Sequence, residues 1–255
     1  MDQQGSGRKL YARWPVRNLT HIHQTAELAE RVLLPGDPGR ALRLAQALLD
    51  SPRMLNHNRG LWGYTGTAQD GLAMSIQSTG MGGPSAAIVA TELIELGARR
   101  LLRIGTCGAL SESLGLGQLV VASEAFADDG TSVALGGHAP LERVPAPGAG
   151  LLAALLRAGA ATAPPAAVGP AVSTDLFYGA EGRVAAWRDA GALVVEMEAA
   201  AIFTVAARAG VWAGCALLVS NVVGSARHMG AEDLQAAELR LGELGVAALA
   251  GTDGG

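Results

Sequence analysis

The sequence predicts an α/β protein with a single-domain three-layer α/β/α fold and a central mixed β-sheet. Short apolar segments, typical of buried strands, alternate along the chain with segments of helical periodicity. Glycine-rich turns follow several of these apolar segments, as they do where strands lead into helices. The chain has 255 residues, of which 49% are hydrophobic and 16% are charged, so it can bury one large core.

The predicted elements follow one another regularly after a polar N-terminal segment. We expect a flexible arm over residues 1–20 and one folded domain over 21–255. Apolar patterns predict strands at 31–34, 63–68, 72–79, 101–104, 118–123, 168–173, 192–195 and 213–220. Helical patterns cover 38–49, 86–96, 151–160, 180–190, 196–209 and 231–248, and the glycine-rich segment 131–144 is expected to be a long loop.

Local signals justify several of these boundaries. Pro38 fits the first turn of its helix, where a missing N–H costs nothing. The sequence Gln-Asp-Gly at 69–71 separates two strand-like segments and predicts a hairpin. Gly97 follows the second helix, and glycine commonly ends helices because it accepts a positive φ.

Composition excludes several classes of function. The formal net charge is -4 and no long basic run is present, so we expect no nucleic-acid partner. No apolar segment is long enough to span a membrane, and no signal peptide follows the N-terminal arginines. Cys107 and Cys215 lie in apolar segments, which indicates reduced thiols in a cytoplasmic protein. His21 and His23 lack the further ligands of a metal site, so we expect no metal ion.

An arginine inside an apolar strand is the first candidate for binding chemistry. Arg103 lies in the segment 101–104, and a buried guanidinium needs an anion because it stays protonated. Gly-Thr-Cys-Gly follows at 105–108, where we expect the strand to leave the sheet, and ligands bind at such strand ends. Arg103 and Thr106 are therefore candidates to bind an oxyanion. The alternative is that Arg103 pairs with a structural carboxylate beside a tight turn.

The turn after the first predicted strand offers a second anion site. Pro-Gly-Asp-Pro-Gly-Arg at 35–40 joins that strand to a helix, whose first turn carries free N–H groups. Arg40 lies on this first turn. The alternative is an ordinary capped turn with a surface arginine.

Two carboxylates flank a methionine between a predicted strand and a predicted helix. Helix capping explains one of Glu196 and Glu198, because free N–H groups favour an acid at a helix start. Two acids with Met197 between them indicate a polar pocket with an apolar floor. A carboxylate there would accept hydrogen bonds from the paired hydroxyls of a sugar.

The glycine-rich turn Gly-Met-Gly-Gly at 80–83 partly matches a dinucleotide-binding turn. An NADP-linked oxidoreductase is therefore an alternative of a different class. The glycine spacing is incomplete, and no acid follows for a ribose hydroxyl, so the match is weak.

Five segments together resemble the nucleoside phosphorylases of the hexameric bacterial type. They are Pro-Gly-Asp-Pro at 35–38, Ser-Thr-Gly-Met-Gly-Gly-Pro-Ser at 78–85, Arg-Ile-Gly-Thr-Cys-Gly-Ala at 103–109, Asp-Leu-Phe-Tyr at 175–178 and Val-Glu-Met-Glu-Ala-Ala at 195–200. They occur in the family's order and cover nearly the whole chain from about residue 21. The resemblance implies a nucleoside phosphorylase-like fold and reversible phosphorolysis of a nucleoside to a free base and ribose 1-phosphate. It also implies inorganic phosphate as co-substrate and no cofactor.

The resemblance assigns a role to each matching residue. Phosphate would be bound by Gly36, Arg40, Arg59, Arg103 and Thr106, and ribose by His21, Met197 and Glu198. The base would contact Phe177, Glu181, Arg183 and Asn221. The residues expected to act in catalysis are Arg103, Glu198, Arg183 and Asn221. In the family, the arginine matched by Arg59 and the histidine matched by His21, with His23 as a rival, serve a neighbouring subunit. We therefore expect homodimer units that assemble into a homohexamer.

The choice of base depends on departures from the family's patterns. Purine enzymes have an acid after the serine matched by Ser220, and that acid protonates the purine, whereas Asn221 follows here. Several segments are closer to uridine phosphorylase, in which an arginine matched by Arg183 donates to a uracil carbonyl. Glu181 departs from that pattern because it replaces an amide with an acceptor. We predict a uridine phosphorylase, with a phosphorylase of inosine or guanosine, a nucleosidase that uses water and a non-catalytic nucleoside-binding protein as alternatives.

Overall fold

The structure is a computed structural model that describes residues 19–252. Within that range ten β-strands and seven α-helices follow one another. The strands are β1 (Arg31–Pro35), β2 (Asp50–Asn56), β3 (Gly63–Thr67), β4 (Ala73–Gln77), β5 (Arg100–Ala109), β6 (Leu119–Asp128), β7 (Glu142–Pro145), β8 (Ala167–Thr174), β9 (Val194–Glu196) and β10 (Trp212–Val222). The helices are α1 (Pro38–Leu48), α2 (Gly83–Glu95), α3 (Gly130–Gly136), α4 (Ala149–Ala160), α5 (Val184–Asp189), α6 (Ala199–Ala209) and α7 (Ala231–Ala250). The predicted arm at 1–20 falls outside the described residues except for its last two positions.

The described strands form one mixed sheet around β5. Strand β5 pairs in parallel with β1 and β10, and its last two residues pair antiparallel with β9. Strand β10 also pairs with β6, β6 with β8, and β8 with β9, so these four strands and β5 close into a ring. Beyond β1 the sheet continues through β4, β3 and β2. The predicted central mixed sheet is confirmed, and its ring closure is a feature that no sequence pattern indicated.

Helices cover both faces of the sheet. Helices α2, α3 and α6 pack together on one face, and α1, α4 and α7 pack together on the other. Side chains of β1 alternate between the two cores: Val32 and Leu34 lie with α2 and α6, whereas Leu33 lies with α1, α4 and α7. All three side chains are fully buried, and the predicted three-layer α/β/α fold is confirmed. Across residues 19–252, none of the helices combines the length and the apolar composition that a membrane crossing requires.

Three regions differ clearly from the sequence prediction. The segment 131–144 is not one long loop, because it contains most of α3 and the start of β7. Asp129 begins α3 by accepting the backbone N–H of Ser132 at 2.8 Å, a local cap that the surrounding glycines obscure. Strand β2 was not expected, because its first five residues are exposed and show no apolar alternation. Strand β5 is longer than predicted.

The additional length of β5 comes from its pairing with β10. Thr106 pairs with Leu218 and Ala109 with Val222, so the glycines at 105 and 108 stay in the sheet. The expectation that the chain leaves the sheet at Gly105 is therefore wrong. Arg103 lies in the middle of a strand and not at its end, although the neighbouring strand β1 ends one residue beyond the partner of Arg103.

Candidate active site

A cavity of about 790 Å³ lies over the middle of β5 and the ends of β1, β8, β9 and β10. Its size is in the range of ligand sites in enzymes. Most residues that the sequence predicted for phosphate, ribose and base line this cavity, namely Gly36, Arg40, Arg103, Thr106, Phe177, Glu181, Met197, Glu198 and Asn221. His21, Arg59 and Arg183 are not among its lining residues.

The guanidinium of Arg103 lies between two buried carboxylates. Its Nε donates to Glu196 Oε2 at 2.7 Å, and its Nη2 contacts Glu198 Oε2. Arg103 is only 3% exposed, yet it lines the cavity. Both alternatives drawn from the sequence are therefore combined here: the arginine has structural carboxylate partners and also reaches the candidate ligand site.

Gly105 makes room for this guanidinium. A Cβ at residue 105 would lie 2.6 Å from Arg103 Nη2 and 2.9 Å from its Cζ. Contacts that short force the guanidinium to move, and its two ion pairs resist the movement. Because residue 105 lies inside β5, the glycine is needed for close approach and not for a turn.

The two acids at the junction of β9 and α6 have different partners. The Glu196 carboxylate caps α6, because it accepts the backbone N–H groups of Glu198 at 2.8 Å and Ala199 at 2.9 Å. It also accepts the Ser173 hydroxyl. The Glu198 carboxylate accepts the backbone N–H of Gly82 at 2.6 Å, at the start of α2. Capping thus explains Glu196, whereas Glu198 connects α2 to the arginine of β5.

Burial and pairing set the charges in the cavity. Burial raises the pKa of the Glu198 carboxyl above its usual range, and attraction to Arg103 opposes part of this rise. Burial alone would lower the pKa of Arg103, but the two carboxylates outweigh it and raise that pKa, so the guanidinium stays charged. Burial also raises the pKa of the Cys107 thiol. A neutral buried thiol is a poor nucleophile, so Cys107 has no expected covalent role.

The turn after β1 brings Gly36 and Arg40 to the cavity. Asp37 caps α1, since its Oδ1 accepts the backbone N–H of Arg40 at 2.6 Å. This N–H is therefore not free for an anion. Arg40 is not a surface arginine either, because it is 9% exposed and its Nη2 lies 2.6 Å from Oε1 of Glu238 on α7. Its buried Nε has no hydrogen-bond partner within residues 19–252.

Asn221 follows an irregularity in the pairing of β10 with β5. Its Oδ1 accepts the hydroxyl of Ser220 at 3.2 Å, which leaves the side-chain NH₂ group as the available donor. A Cβ at Gly108 would lie 3.2 Å from this Nδ2, so the glycine keeps space beside the amide. Phe177 and Glu181 line another part of the cavity. Phe177 is 73% exposed and Glu181 is also exposed, so both residues face solvent as well as the cavity.

Arg183 has a different environment from the predicted one. Its Nε donates to Asp128 Oδ2 at 3.1 Å, and its Nη2 contacts Asp128 Oδ1. Asp128, the last residue of β6, also accepts the indole N–H of Trp187 at 2.7 Å. The carboxylate occupies the fork of donors that was expected to read a uracil carbonyl. Contrary to the sequence-based expectation, the structure does not bring Arg183 to the cavity.

His21 and Arg59 also lie away from the cavity wall. Arg59 is exposed in the 3₁₀ turn Asn58–Gly60 and has a φ of 57°. His21 Nδ1 lies 2.7 Å from Oε1 of Glu92 on α2. The same carboxylate accepts the backbone N–H groups of His21 at 2.9 Å and Ile22 at 2.7 Å. Service of His21 and Arg59 to a neighbouring subunit stays a prediction.

The alternative based on the turn at 80–83 loses its main binding group. The Gly82 N–H is bound by the Glu198 carboxylate, whose negative charge also opposes a pyrophosphate at that position. A dinucleotide site at this turn is therefore not supported. Within residues 19–252, no group of three or more His, Cys, Asp or Glu side chains is arranged to hold a metal ion.

Sequence reasoning missed the acids that pair with the predicted cations. Glu238 holds Arg40, Glu92 holds His21, and Asp128 holds Arg183 (distances above). Glu92 and Glu238 are 5% and 4% exposed and lie among the apolar positions of their helices. A carboxylate at an apolar helix position was the signal that could have identified these two, because buried acids need partners.

Comparison with known proteins places these features in one family. The model of the Phosphorylase superfamily matches residues 30–249. A DeoD-type purine nucleoside phosphorylase of Geobacillus kaustophilus is 36% identical over 213 residues, which are 83% of this chain and 89% of the relative. A guanosine phosphorylase of Halorubrum lacusprofundi is 36% identical over 210 residues, 82% of this chain and 85% of the relative. A DeoD-type purine nucleoside phosphorylase of Clostridium novyi is 34% identical over 229 residues, 88% of this chain and 97% of the relative.

The names of these relatives do not support the predicted closeness to uridine phosphorylase, because they refer to purine nucleosides or guanosine. They do agree with the resemblance found in the sequence at the level of the family. With a match that spans most of the folded domain, the chain belongs to the Phosphorylase superfamily.

Proposed function

We propose that the chain catalyses reversible phosphorolysis of purine nucleosides, with a preference for the 6-oxopurine nucleosides inosine and guanosine. The observation that carries the proposal is that Arg103, Glu198 and Asn221 line one and the same cavity. These residues offer a cation for an anionic co-substrate, an acceptor for sugar hydroxyls and a donor for a base. The relatives named purine nucleoside phosphorylase and guanosine phosphorylase support the same reaction.

Inorganic phosphate is the co-substrate in this family, which needs no cofactor. Arg40 and Arg103 supply two positive charges at the cavity, and Thr106 and Gly36 add a hydroxyl and a backbone N–H. We assign the unpartnered Nε of Arg40 to phosphate, because a buried donor of a charged group is costly without an acceptor.

The reaction then needs positioning and electrostatic support more than covalent help. The glycosidic bond lengthens first, and the ribose gains positive charge. Bound phosphate stabilises this charge and attacks C1′, while Glu198 accepts the ribose hydroxyls and Met197 packs against the sugar. Arg103 contributes by fixing Glu198 and by adding positive charge near the phosphate.

Asn221 favours a 6-oxopurine over adenine as the leaving base. Its NH₂ group can donate to N7 or O6, and in a 6-oxopurine the negative charge of the leaving base spreads onto O6. Adenine has no such oxygen and leaves more easily when an acid protonates N7, which an amide cannot do. Two features disfavour uracil. The Asp128 carboxylate accepts the Arg183 hydrogen bonds that a uracil carbonyl would need, and an ionised Glu181 has no N–H or O–H to donate to the base.

We also propose that the active unit is a homodimer, assembled further into a homohexamer. The resemblance assigns His21 and Arg59 to the site of a neighbouring subunit, and neither residue lines this chain's own cavity. Light scattering should therefore give a dimer or a larger assembly. A fully active monomer would remove both residues from the proposed mechanism.

A panel of inosine, guanosine, adenosine and uridine, each with phosphate, tests the base preference. We expect kcat/KM for inosine or guanosine to exceed the values for adenosine and uridine by about tenfold or more, which corresponds to one well-placed hydrogen bond. Asn221→Asp should shift the ratio of adenosine to inosine cleavage towards adenosine, because it restores an acid. Asn221→Ala is the matched control and should lower 6-oxopurine cleavage without this gain. Uridine as the best substrate would contradict the proposal.

A further inference from the structure

Arg40 lies between two hollows of the protein. It lines the active-site cavity, and it also lines a groove of about 430 Å³ between α1 and α7. Arg43, Gln235 and Glu238 line the groove but not the cavity. The groove therefore offers the long side chain of Arg40 a second position, away from the proposed substrate site.

The buried carboxylate of Glu238 fixes the observed position of the Arg40 side chain. Glu238 is 4% exposed, and its Oε1 lies 2.6 Å from Arg40 Nη2. Its Oε2 accepts Arg43 Nη2 at 2.7 Å, so both carboxylate oxygens are used. Two points anchor Arg40, because its backbone N–H is also bound by Asp37. With Nη2 on Glu238, the Nε–H is left buried and without a partner in the described part of the chain, while Arg40 still lines the cavity.

The charge of Glu238 and its geometry have opposite effects on an anion. A carboxylate near the site lowers the positive potential, which by itself weakens phosphate binding. Removing it would leave Arg40 buried without its counter-ion and beside a like-charged Arg43, which is unfavourable enough to move the guanidinium towards solvent through the groove. The position of the Arg40 guanidinium matters more for phosphate binding than the change in potential, because a donor must lie within hydrogen-bond distance of its acceptor.

We infer that Glu238, on the C-terminal helix, is a positioning residue for phosphate: it clamps Arg40 so that its Nε faces the co-substrate. This inference rests on the proposed function, since it takes phosphate as the second substrate. It assigns part of the phosphate site to α7, an element that contributes no residue to the cavity wall itself.

Glu238→Gln tests the inference, because a glutamine keeps one acceptor oxygen and cannot serve both arginines. The expected result is a rise of about tenfold or more in the KM for phosphate, with the KM for inosine or guanosine within about twofold of wild type. A lower phosphate KM would mean that Glu238 only neutralises charge. An unchanged phosphate KM, even with a lower melting temperature, would mean a structural role only. Either result would overturn the inference.

Arg43→Gln is the matched control, because it removes the other partner of the same carboxylate, and its side chain is 45% exposed. The ion pair of Glu238 with Arg40 remains in this variant, so phosphate KM should stay within about twofold of wild type. If Glu238→Gln folds poorly, Glu238→Asp keeps the charge but shortens the side chain by one methylene, which draws the carboxylate away from Arg40 and should raise phosphate KM alone. The rise in melting temperature on adding phosphate without nucleoside gives a second readout, which should shrink in both Glu238 variants.

Failure of the proposed function has a different result. Wild-type enzyme that cleaves nucleosides without phosphate would refute that function. If wild type needs phosphate but the Glu238 variants keep the wild-type phosphate-induced rise in melting temperature, only the role of Glu238 is refuted.

Discussion

The ion pairs of Arg103 predict a large and pH-dependent loss of stability when this residue is replaced by methionine. The substitution keeps an unbranched side chain but leaves Glu196 and Glu198 without their cation. Glu196 retains the hydroxyl of Ser173 and two backbone N–H groups, whereas Glu198 retains only one N–H, from Gly82. Breaking a buried ion pair costs about 3–5 kcal/mol, so the melting temperature should fall by roughly 6–20 °C for a domain of this size.

The pH dependence gives this prediction its direction. Burial already raises the pKa of Glu198, and Arg103 holds part of that rise back. Without the arginine the pKa rises further, so the folded variant takes up a proton as the pH falls, and the penalty of the unpaired charge decreases. The difference in free energy of unfolding between wild type and Arg103→Met should therefore be larger at pH 8 than at pH 5.

Urea unfolding at both pH values measures this difference. The double variant Arg103→Met with Glu198→Gln is the control, because it also removes the charge of Glu198, the acid that is left with a single N–H partner, and should recover most of the lost stability. A loss below about 1 kcal/mol at pH 8, or a difference that does not change between the two pH values, would refute the reasoning, since surface substitutions are of that size.

The remaining predictions concern the same network and its neighbours. Gly105→Ala places a Cβ within 2.6 Å of Arg103 Nη2, so kcat/KM should fall at least tenfold, by about 1.4 kcal/mol or more, while the chain stays folded by circular dichroism; unchanged kinetics would show that the guanidinium moves freely. If the Glu198 carboxylate binds the ribose hydroxyls, Glu198→Gln should lower kcat/KM by a factor that corresponds to about 2–4 kcal/mol of transition-state stabilisation, while the affinity for the free base stays at the wild-type value. An equal loss of affinity for the free base would indicate general disruption of the site. Burial tends to raise the pKa of Glu92, but hydrogen bonds from His21 and backbone amides lower it overall, so its stabilisation is present above the ordinary carboxyl pKa of about 4.3 and is lost as the pH falls below it. Glu92→Gln should therefore destabilise the protein by about 2–4 kcal/mol at pH 7 and by less near pH 3; the same loss at both pH values would contradict the assigned charge.

The positions of chemically unusual residues could be predicted from the sequence. Arg103 conflicts with its apolar strand, and the pair of Glu196 and Glu198 is one acid more than helix capping explains; such conflicts mark functional sites. The glycine-rich turns and apolar runs also sufficed to predict the alternation of strands and helices, because those signals are local.

The partners of these residues could not be predicted, because they are distant in the sequence. Arg40 meets Glu238 across 198 positions of chain numbering, and nothing near either residue indicates the contact. The ring closure of the sheet similarly depends on which strands meet and not on any one strand. Arg183 shows the cost of transferring a role by position alone: its offset from Phe177 matched a base-reading arginine, but the carboxylate of Asp128 lies within its reach.

The most direct test of the central claim is to identify the sugar product of inosine cleavage with and without phosphate. An enzyme that holds phosphate between Arg40 and Arg103 beside the ribose should form hypoxanthine and ribose 1-phosphate in equal amounts, and should stop when phosphate is omitted. Free ribose as the product, formed at the same rate without phosphate, would contradict the account.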